Sequence, residues 1–230
     1  MPSQKTGGPG DQNFHMKILY QDDWLMAIEK PAGLPTLPAS RGKKQTLASE
    51  LLQEFPKLKK ISDNGIVHRL DNDTSGIVVI AKTENAYRIL REVWNTDQVT
   101  KTYVAVVLGR LIGSGILQIP IVHHPKKKKK MMVDKQKGRP ALTEWKTIRQ
   151  DNGQTWVELK IKTGVRHQIR LHLASIGFPI VGDLLYQKVK QRLLNPSGID
   201  HHLLHLTKVD LIHPETVKKL SIESPANFSF

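Results

Sequence analysis

The 230-residue sequence contains no cysteine and no long apolar run. The absence of cysteine excludes disulfides, thiolate nucleophiles and thiolate metal sites. A bilayer-spanning helix needs about 20 consecutive apolar residues, and the polar, glycine-rich start lacks the apolar segment of a signal peptide. These absences predict a cytoplasmic protein that folds without covalent cross-links.

Acidic residues and aromatic residues are also few. Asp and Glu number 21 against 35 Lys and Arg, which gives a formal net charge of +14, and aromatic residues make up 6% of the chain. This charge predicts a polyanionic partner, nucleic acid before a membrane, because no basic segment joins an amphipathic helix with a broad apolar face. So few aromatic residues limit stacking to one or two bases rather than a long single strand.

The hydrophobic content, 39% of the chain, is sufficient for the core of a domain of this length. Residues 1–15 are rich in Gly and small polar residues and lack an apolar period, which predicts a disordered N-terminal tail. Residues 16–230 are predicted to form one domain.

Local patterns predict that this domain belongs to the α+β class. Helices are predicted after the N-cap candidates Thr46 and Thr83, and over 166–176, because apolar residues recur there at helical spacing. Strands are predicted at 24–29, 76–81, 102–109, 145–149 and 156–161, with two more over 205–222. The Asp-Asn-Gly turn at 151–153 is typical of a hairpin and requires antiparallel pairing. Because strands and helices do not alternate regularly, we predict a mixed, largely antiparallel sheet flanked by helices.

The most informative segment, residues 68–76, reads His-Arg-Leu-Asp-Asn-Asp-Thr-Ser-Gly and precedes the apolar run 77–81. A polar loop on a rigid strand is where binding and catalytic residues are often found. Taken alone, the same residues also fit an ordinary turn stabilised by Asx and hydroxyl bonds to the backbone.

This segment closely resembles the signature of the RluA-like family of pseudouridine synthases, which isomerise uridine in RNA. Other stretches resemble further family motifs in the same order: 19–23 with the Lys-Pro-Ala-Gly turn at 30–33, then 101–105, then 163–173 with 177–183, and finally 205 with 212–216. The ordered matches cover most of the chain. The resemblance implies a pseudouridine-synthase-like catalytic domain. Because few residues precede Lys30, a stand-alone domain without an N-terminal S4-type module is expected.

The resemblance also implies a catalytic set. Asp71 corresponds to the catalytic acid, Arg170 to its partner and Tyr103 to the active-site tyrosine. Breaking a glycosidic bond and rejoining the base through carbon needs an ionised nucleophile or charge stabiliser, and a carboxylate beside a guanidinium stays ionised when desolvated. The ring of Tyr103 is expected to stack on an extruded uracil while its hydroxyl transfers a proton. Without the resemblance these residues fit a turn cap, a buried ion pair and a core tyrosine.

RNA contacts are predicted from the resemblance and from charge. Arg69 resembles the family arginine that fills the gap left by a flipped nucleotide, with a simple phosphate contact as the alternative. The role of Arg166 stays open, because residues 164–168 read Gly-Val-Arg-His-Gln where family members often read Gly-Arg-Thr-His-Gln. Five consecutive lysines at 126–130 fit either a solvated loop or a phosphate clamp. The predicted RNA-binding set is His68, Arg69, Lys126, Lys127, Lys128, Lys129, Lys130, Arg166 and His167.

Two other functions are weighed against this one. A non-catalytic RNA-binding or ribosome-assembly protein has no use for a desolvated carboxylate facing a polyanion. A metal hydrolase needs His201 and His205 as an i, i+4 pair on a helix, with Asp200 as the nearby carboxylate. The glycines at 7–10 lack the flanking strand and helix of a nucleotide-binding loop. We therefore expect a monomeric enzyme that acts on ribosomal or transfer RNA without a cofactor, a metal or a membrane.

Overall fold

The computed structural model describes residues 16–38 and 45–228, so the predicted tail at 1–15 lies outside the described residues. The strands are β1 (Lys17–Gln21), β2 (Leu25–Lys30), β3 (Ser75–Ala81), β4 (Thr100–Leu108), β5 (Ser114–Gln118), β6 (Ile121–His123), β7 (Met131–Val133), β8 (Leu142–Asp151), β9 (Gln154–Ile161), β10 (Leu204–Ile212) and β11 (Lys219–Glu223). The helices are α1 (Leu47–Glu54), α2 (Glu84–Val93), α3 (Gln168–Ser175) and α4 (Val189–Arg192), with 3-10 turns at Pro56–Lys60 and Ser62–Gly65.

Nine of the described strands form one sheet in the order β1-β2-β3-β10-β4-β9-β8-β5, with β11 paired to β10. Within this described sheet, β3 and β10 run parallel and the other paired strands run antiparallel. The predicted α+β class with a mixed, largely antiparallel sheet is therefore confirmed. The assignment of 16–230 to one catalytic domain stays a prediction.

The parallel contact between β3 and β10 is close. Ser75 pairs with His205 and Gly76 with Leu206. Gly76 has a φ of +118°, and a Cβ there would lie 2.4 Å from the carbonyl oxygen of Leu206. Only glycine fits such a backbone approach at positive φ. The end of the 68–76 segment is thereby fixed against the start of β10.

Three local predictions are confirmed. The hydroxyl of Thr46 accepts the Ser49 N–H at the start of α1, and the hydroxyl of Thr83 accepts the Ala86 N–H at the start of α2. Strands β8 and β9 form the predicted hairpin, with positive φ at Asn152 and at Gly153, as a two-residue type I′ turn requires. These elements follow from short-range signals in the sequence.

The predicted start of α3 at Arg166 is wrong by two residues. His167 adopts a left-handed conformation, with φ of 56°, and the helix begins at Gln168. The Gln168 side chain accepts the Val165 N–H at 3.1 Å and the Thr163 hydroxyl at 2.9 Å. Gln168 therefore stabilises the turn that precedes the helix, and His167 is held outside it.

Two short strands flank the five lysines at 126–130, for which the sequence predicts a solvated loop or a phosphate clamp. Strands β6 and β7 pair around the loop at 124–130, and we call residues 121–133 the basic hairpin. Ile121 and Met131 are buried at its base, against Leu171 and Tyr186, whereas Lys126 to Lys129 are exposed. Burial of one side chain from each short strand anchors the hairpin while its lysines remain in solvent.

The hydrophobic core includes the central strands of the sheet. Buried residues of β2, β3, β4, β9 and β10 join those of α1 and α2 in one hydrophobic cluster. In the described ranges, no helix has the length and apolarity that a bilayer crossing requires.

Candidate active site

The loop that carries Asp71 is anchored from two sides. Thr36 accepts the Leu70 N–H and donates its hydroxyl to the Leu70 carbonyl, and the Thr74 N–H closes a turn on the Asp71 carbonyl. The buried Lys30 ammonium donates to the Asn72 carbonyl at 2.9 Å and to two carbonyls of its own turn. Burial lowers the pKa of Lys30 to about 8. The Lys-Pro-Ala-Gly turn therefore fixes the backbone next to Asp71.

Arg170, on α3, lies between two carboxylates. Its Nε and Nη2 donate to Asp183 at 2.7 and 2.9 Å, and its Nη1 donates to Asp71 Oδ2 at 2.8 Å. The Asp183 side chain is fully buried, whereas that of Asp71 is 26% exposed. Burial opposes the charge of Arg170, but the hydrogen bonds and charges of these two carboxylates raise its pKa. Arg170 is therefore a fixed cation that presents one N–H to Asp71.

Asp71 is ionised in this setting. Burial raises the pKa of its carboxyl, but the charge that His167 carries in acid, the permanent charge of Arg170 and the hydrogen bond from Arg170 outweigh burial and lower it. Burial lowers the pKa of His167 to about 4, so near neutral pH this imidazole is uncharged. Arg170 is then the charge that keeps Asp71 ionised.

Asp71 and Arg170 line a cavity of about 540 Å³, a size typical of ligand pockets. The cavity is lined by Arg69, Leu70, Asp71, Thr74, Tyr103, His123, Arg139, Ile161, Gly164, Val165, Arg166, His167, Gln168, Ile169, Arg170 and Leu204. Arginines from three separate parts of the chain are among these residues. The cavity combines one ionised carboxylate with several cations, as a site for a phosphate-bearing ligand requires.

Tyr103 lies on β4, in the wall of this cavity, and its side chain is largely buried. Its hydroxyl has no hydrogen-bond partner among the described residues, whereas the hydroxyls of Tyr20, Tyr87 and Tyr186 each have at least one. Burial and the negative charge of Asp71 raise its pKa, so the hydroxyl keeps its proton. Gln154 Oε1 is the one fully buried side-chain polar atom without a partner among the described residues, so the Tyr103 hydroxyl is accessible from the cavity and free to bond to a ligand.

Four of the predicted RNA-binding residues lie at or near the cavity. Arg69, Arg166 and His167 line it, and Arg69 and Arg166 are exposed. The basic hairpin reaches the cavity wall through His123. Lys130, at the hairpin end, packs its ammonium 5.2 Å from the centre of the Tyr186 ring.

His68 does not fit its predicted RNA-binding role. Its ring stacks on Trp94 at 4.1 Å, and its Nε2 accepts the Val79 N–H at 3.1 Å. Burial, with the charges of Lys101 and Arg91, lowers its pKa to about 3. The neutral imidazole is used to pack the 68–76 segment onto β3 and α2, outside the cavity lining.

The histidines of the tail do not form a helical pair. His201 and His202 precede β10, and His205 lies within it, so an i, i+4 helical arrangement is absent from this described segment. His202 Nε2 bonds to the Thr74 hydroxyl at 2.7 Å, and His205 Nδ1 bonds to the Ser75 hydroxyl at 2.8 Å. The described part of the chain contains no cluster of three or more His, Asp or Glu that could hold a metal ion.

Two residues of the site were not singled out from the sequence. Asp183 binds the same guanidinium as Asp71, and Tyr186 bonds to His167 at 2.9 Å. Both follow the Pro-Ile-Val-Gly stretch of the third family-like motif, within four residues of Gly182. Their place beside this motif was the one sequence feature that could have indicated them as site residues. Nothing in the sequence alone paired Asp183 with Arg170.

Comparisons with known proteins identify a family to which this chain is similar. The model of the RNA pseudouridylate synthase family matches residues 24–175. Ribosomal large subunit pseudouridine synthase D of Nitrosomonas europaea is 38% identical over 216 residues, which are 91% of this chain and 62% of that protein. The protein of the same name from Xanthomonas campestris is 34% identical, over 93% of this chain and 67% of that protein.

Solved structures share the fold. Human RNA pseudouridylate synthase domain containing 1 superposes with a TM-score of 0.73 at 22% identity, covering 96% of this chain and 86% of that chain. Human RNA pseudouridylate synthase domain containing 4 superposes with a TM-score of 0.68 at 25% identity, covering 92% and 88%.

The chain belongs to the RNA pseudouridylate synthase family. It spans about two thirds of the length of the two bacterial relatives, 62% of the first and 67% of the second.

Proposed function

We propose that this protein converts uridine in RNA to pseudouridine in the cavity around Asp71. The observation that carries the proposal is the ionised Asp71 carboxylate, held by Arg170 beside an unpaired Tyr103 hydroxyl in a cavity lined by cations. Family membership supports the same reaction. A protein that only binds RNA gains nothing from a carboxylate placed against the phosphate backbone.

The reaction rearranges bonds without a net change of atoms. The bond between N1 of uracil and C1′ of ribose breaks, the base turns, and a bond forms between C5 and C1′. C5 loses a proton and N1 gains one, so no oxidant or reductant is consumed. Asp71 is proposed to act on the ring or the sugar as nucleophile or as electrostatic stabiliser, and both roles require the ionised carboxylate.

Tyr103 is proposed to stack on the uracil and to transfer the proton. Because its pKa is raised, the hydroxyl enters the reaction protonated. A protonated hydroxyl can donate its own proton to the base while it accepts the proton lost by C5, so it ends in its starting state. The unpaired hydroxyl is available for such a bond to the substrate.

Uridine in a folded RNA must leave its stack to reach Asp71. We propose that Arg69, exposed at the cavity rim and two residues before Asp71, occupies the gap left by the flipped nucleotide. Arg139, Arg166 and His167 are proposed to bind the flanking phosphates and ribose. The exposed lysines at 126–129 extend this positive surface over the neighbouring RNA.

The names of the two bacterial relatives specify the large ribosomal subunit. We therefore propose ribosomal RNA of the large subunit as the substrate, with transfer RNA as the alternative outcome of the test. A monomer acting in the cytoplasm, without a cofactor or a metal, remains our expectation for this enzyme.

The test combines an activity assay with mapping of the pseudouridines that are formed. The purified protein is incubated with ribosomal RNA and transfer RNA from a strain that lacks the gene, and new pseudouridines are mapped at nucleotide resolution. We expect Asp71→Asn to abolish product while RNA affinity stays within several-fold. The matched control is Asp73→Asn, which removes the same charge from the same loop outside the cavity lining and should retain activity. Product from Asp71→Asn at the wild-type rate overturns the proposal.

A further inference from the structure

Tyr186 lies where the basic hairpin meets the residues that surround Asp71. It is buried, in the segment between α3 and α4, and it packs with Ile121 and Met131 of the hairpin. It also contacts His167 and Arg170, both of which contact Asp71. No other tyrosine in the described residues joins the hairpin to this site.

The hydroxyl of Tyr186 makes two hydrogen bonds. Its oxygen accepts the backbone N–H of Met131 at 2.9 Å, and it lies 2.9 Å from Nδ1 of His167. On the other side of the imidazole, Nε2 of His167 faces Oδ2 of Asp71 at 3.6 Å. A chain of contacts therefore runs from the start of β7 through two hydrogen bonds of Tyr186 to His167, and from there across 3.6 Å to the Asp71 carboxylate.

The negative charge of Asp71 favours one direction for the proton along this chain of contacts. An ionised carboxylate is an acceptor, so the imidazole nitrogen that faces Asp71 carries the proton. In a neutral imidazole the other nitrogen, Nδ1, is then an acceptor and receives the Tyr186 O–H. The charged groups around His167 are Asp71, Arg166, Arg170 and Asp183, and burial leaves the imidazole neutral among them.

The ring of Tyr186 also contacts charged and aromatic side chains. The Arg170 guanidinium lies 5.4 Å from the ring centre, the Lys130 ammonium lies at 5.2 Å, and the His167 ring packs edge-on at 5.7 Å. Cations at this distance from an aromatic ring are attracted to its face. The ring thus joins a hairpin lysine to the arginine that binds Asp71.

We propose that Tyr186 is a positioning residue of this enzyme, which sets the tautomer of His167 beside Asp71 and docks the basic hairpin onto the same contact. The left-handed backbone of His167, φ 56°, is consistent with an imidazole held in place from outside its helix. Through this contact, the position of the hairpin on RNA and the geometry at Asp71 depend on one side chain. The inference rests on the function proposed above.

The test uses Tyr186→Phe, which removes the hydroxyl and keeps the ring. The matched control is Tyr20→Phe, since the Tyr20 hydroxyl also bonds to a partner, Asp22, but lies outside the cavity lining. We expect Tyr186→Phe to lower the single-turnover rate at saturating RNA about tenfold, with RNA affinity within about threefold of wild type. Tyr20→Phe should leave both unchanged.

A second measurement does not depend on activity. Ring-nitrogen NMR of the RNA-free protein, with the His167 signals assigned through His167→Gln, should report the Nε2–H tautomer in the wild type. The same spectrum of Tyr186→Phe should report a mixture of tautomers or the Nδ1–H form. Thermal unfolding of both Phe variants identifies any general loss of stability.

The outcomes separate the two proposals. Wild-type protein without pseudouridine product contradicts the proposed function, whatever the tautomer of His167. An active wild type, with Tyr186→Phe as fast as Tyr20→Phe or with an unchanged His167 tautomer, contradicts the positioning role alone. A slow Tyr186→Phe enzyme with an altered tautomer and an unchanged unfolding temperature supports it.

Discussion

At the scale of single residues, the division of Arg170 between two carboxylates determines the chemistry of the cavity. Asp183 is fully buried and takes the Nε and Nη2 edge, so the guanidinium has one orientation. The remaining Nη1 then points to Asp71, which is partly exposed to the cavity. One carboxylate positions the cation, and the other is positioned by it.

This arrangement predicts the effect of Arg170→Lys. An ammonium keeps the charge but cannot bind two carboxylates with fixed geometry. We expect the single-turnover rate to fall about 10²-fold, the magnitude typical of losing one electrostatic contact to the reacting centre. Because the pKa of Asp71 rises without its guanidinium, the acid limb of the pH–rate profile should move to higher pH. An acid limb at its wild-type position would show that Arg170 does not control the ionisation of Asp71.

Variants of Tyr103 can distinguish the role of its ring from the role of its hydroxyl. Stacking needs only the aromatic face, worth about 1–3 kcal/mol per base, whereas proton transfer needs the phenolic oxygen. We expect Tyr103→Phe to bind RNA normally and to stall after the glycosidic bond has rearranged, and Tyr103→Leu also to weaken RNA binding. Single-turnover product formation and RNA affinity are measured for both variants. Near-native turnover by Tyr103→Phe would return Tyr103 to a stacking or packing role.

At the scale of elements, changes to the lysines of the basic hairpin are expected to affect RNA binding and not the rate of catalysis. Its lysines are exposed at 126–129, away from the cavity lining. Each phosphate contact contributes about −0.7 to the slope of log K against log salt on single strands. We expect replacement of Lys126, Lys127 and Lys128 by Ser to flatten that slope by up to about 2 and to raise the Michaelis constant, with little change in the single-turnover rate at saturating RNA.

The control for this variant carries the same change of charge. Lys57, Lys59 and Lys60 are exposed on the 3-10 turn at Pro56–Lys60, outside the cavity lining, and their replacement by Ser should leave the slope unchanged. Equal slopes for the two triple variants would mean that the hairpin lysines are only a solvated surface.

The elements also show where the sequence was informative. The sequence identified the helix caps and the hairpin turn, because each involves residues only three or four positions apart. These are the caps Thr46 and Thr83 and the turn at Asn152-Gly153. The basic hairpin was missed because its three-residue strands lie beside a lysine run and one buried side chain per strand is too weak a pattern. The start of α3 was misplaced because a left-handed histidine has no local signature.

The site itself was predictable only in part, for the same reason. The resemblance to a family predicted that Asp71 and Arg170, 99 positions apart, are partners, and the two are in contact. Local patterns cannot pair residues at such separation. The second carboxylate on Arg170 and the packing of His68 against Trp94 are tertiary contacts that no residue pattern indicated.

At the scale of the whole molecule, Asp22 joins the start of the chain to its end. Its carboxylate accepts the Tyr20 hydroxyl at 2.7 Å and Nε2 of His213 at 2.8 Å, along with two backbone N–H groups of its own turn. Burial raises its pKa, but these hydrogen bonds outweigh burial and lower it to about 2. The turn between β1 and β2 is thereby held against the end of β10.

This contact predicts a pH-dependent contribution to stability. Because the folded-state pKa of Asp22 is lowered, its contribution is complete above the usual Asp pKa near 4 and is lost as pH falls through about 2. We expect Asp22→Asn to lower the free energy of unfolding at pH 7 by about 2 kcal/mol, with little loss at pH 2, measured by urea denaturation. Asp23→Asn, at the exposed neighbouring position, is the control. A deficit of equal size at both pH values would mean that the ionised carboxylate is not the stabilising form.

The place of β10 in the sheet has a consequence for biosynthesis. This strand lies between β3 and β4, and its first residue, Leu204, lines the cavity. During translation, the strands that present Asp71 and Tyr103 leave the ribosome about a hundred residues before the strand that joins them. A nascent chain that ends before residue 204 therefore has no complete cavity, so the site that contains Asp71 and Tyr103 can form only after β10 has been synthesised.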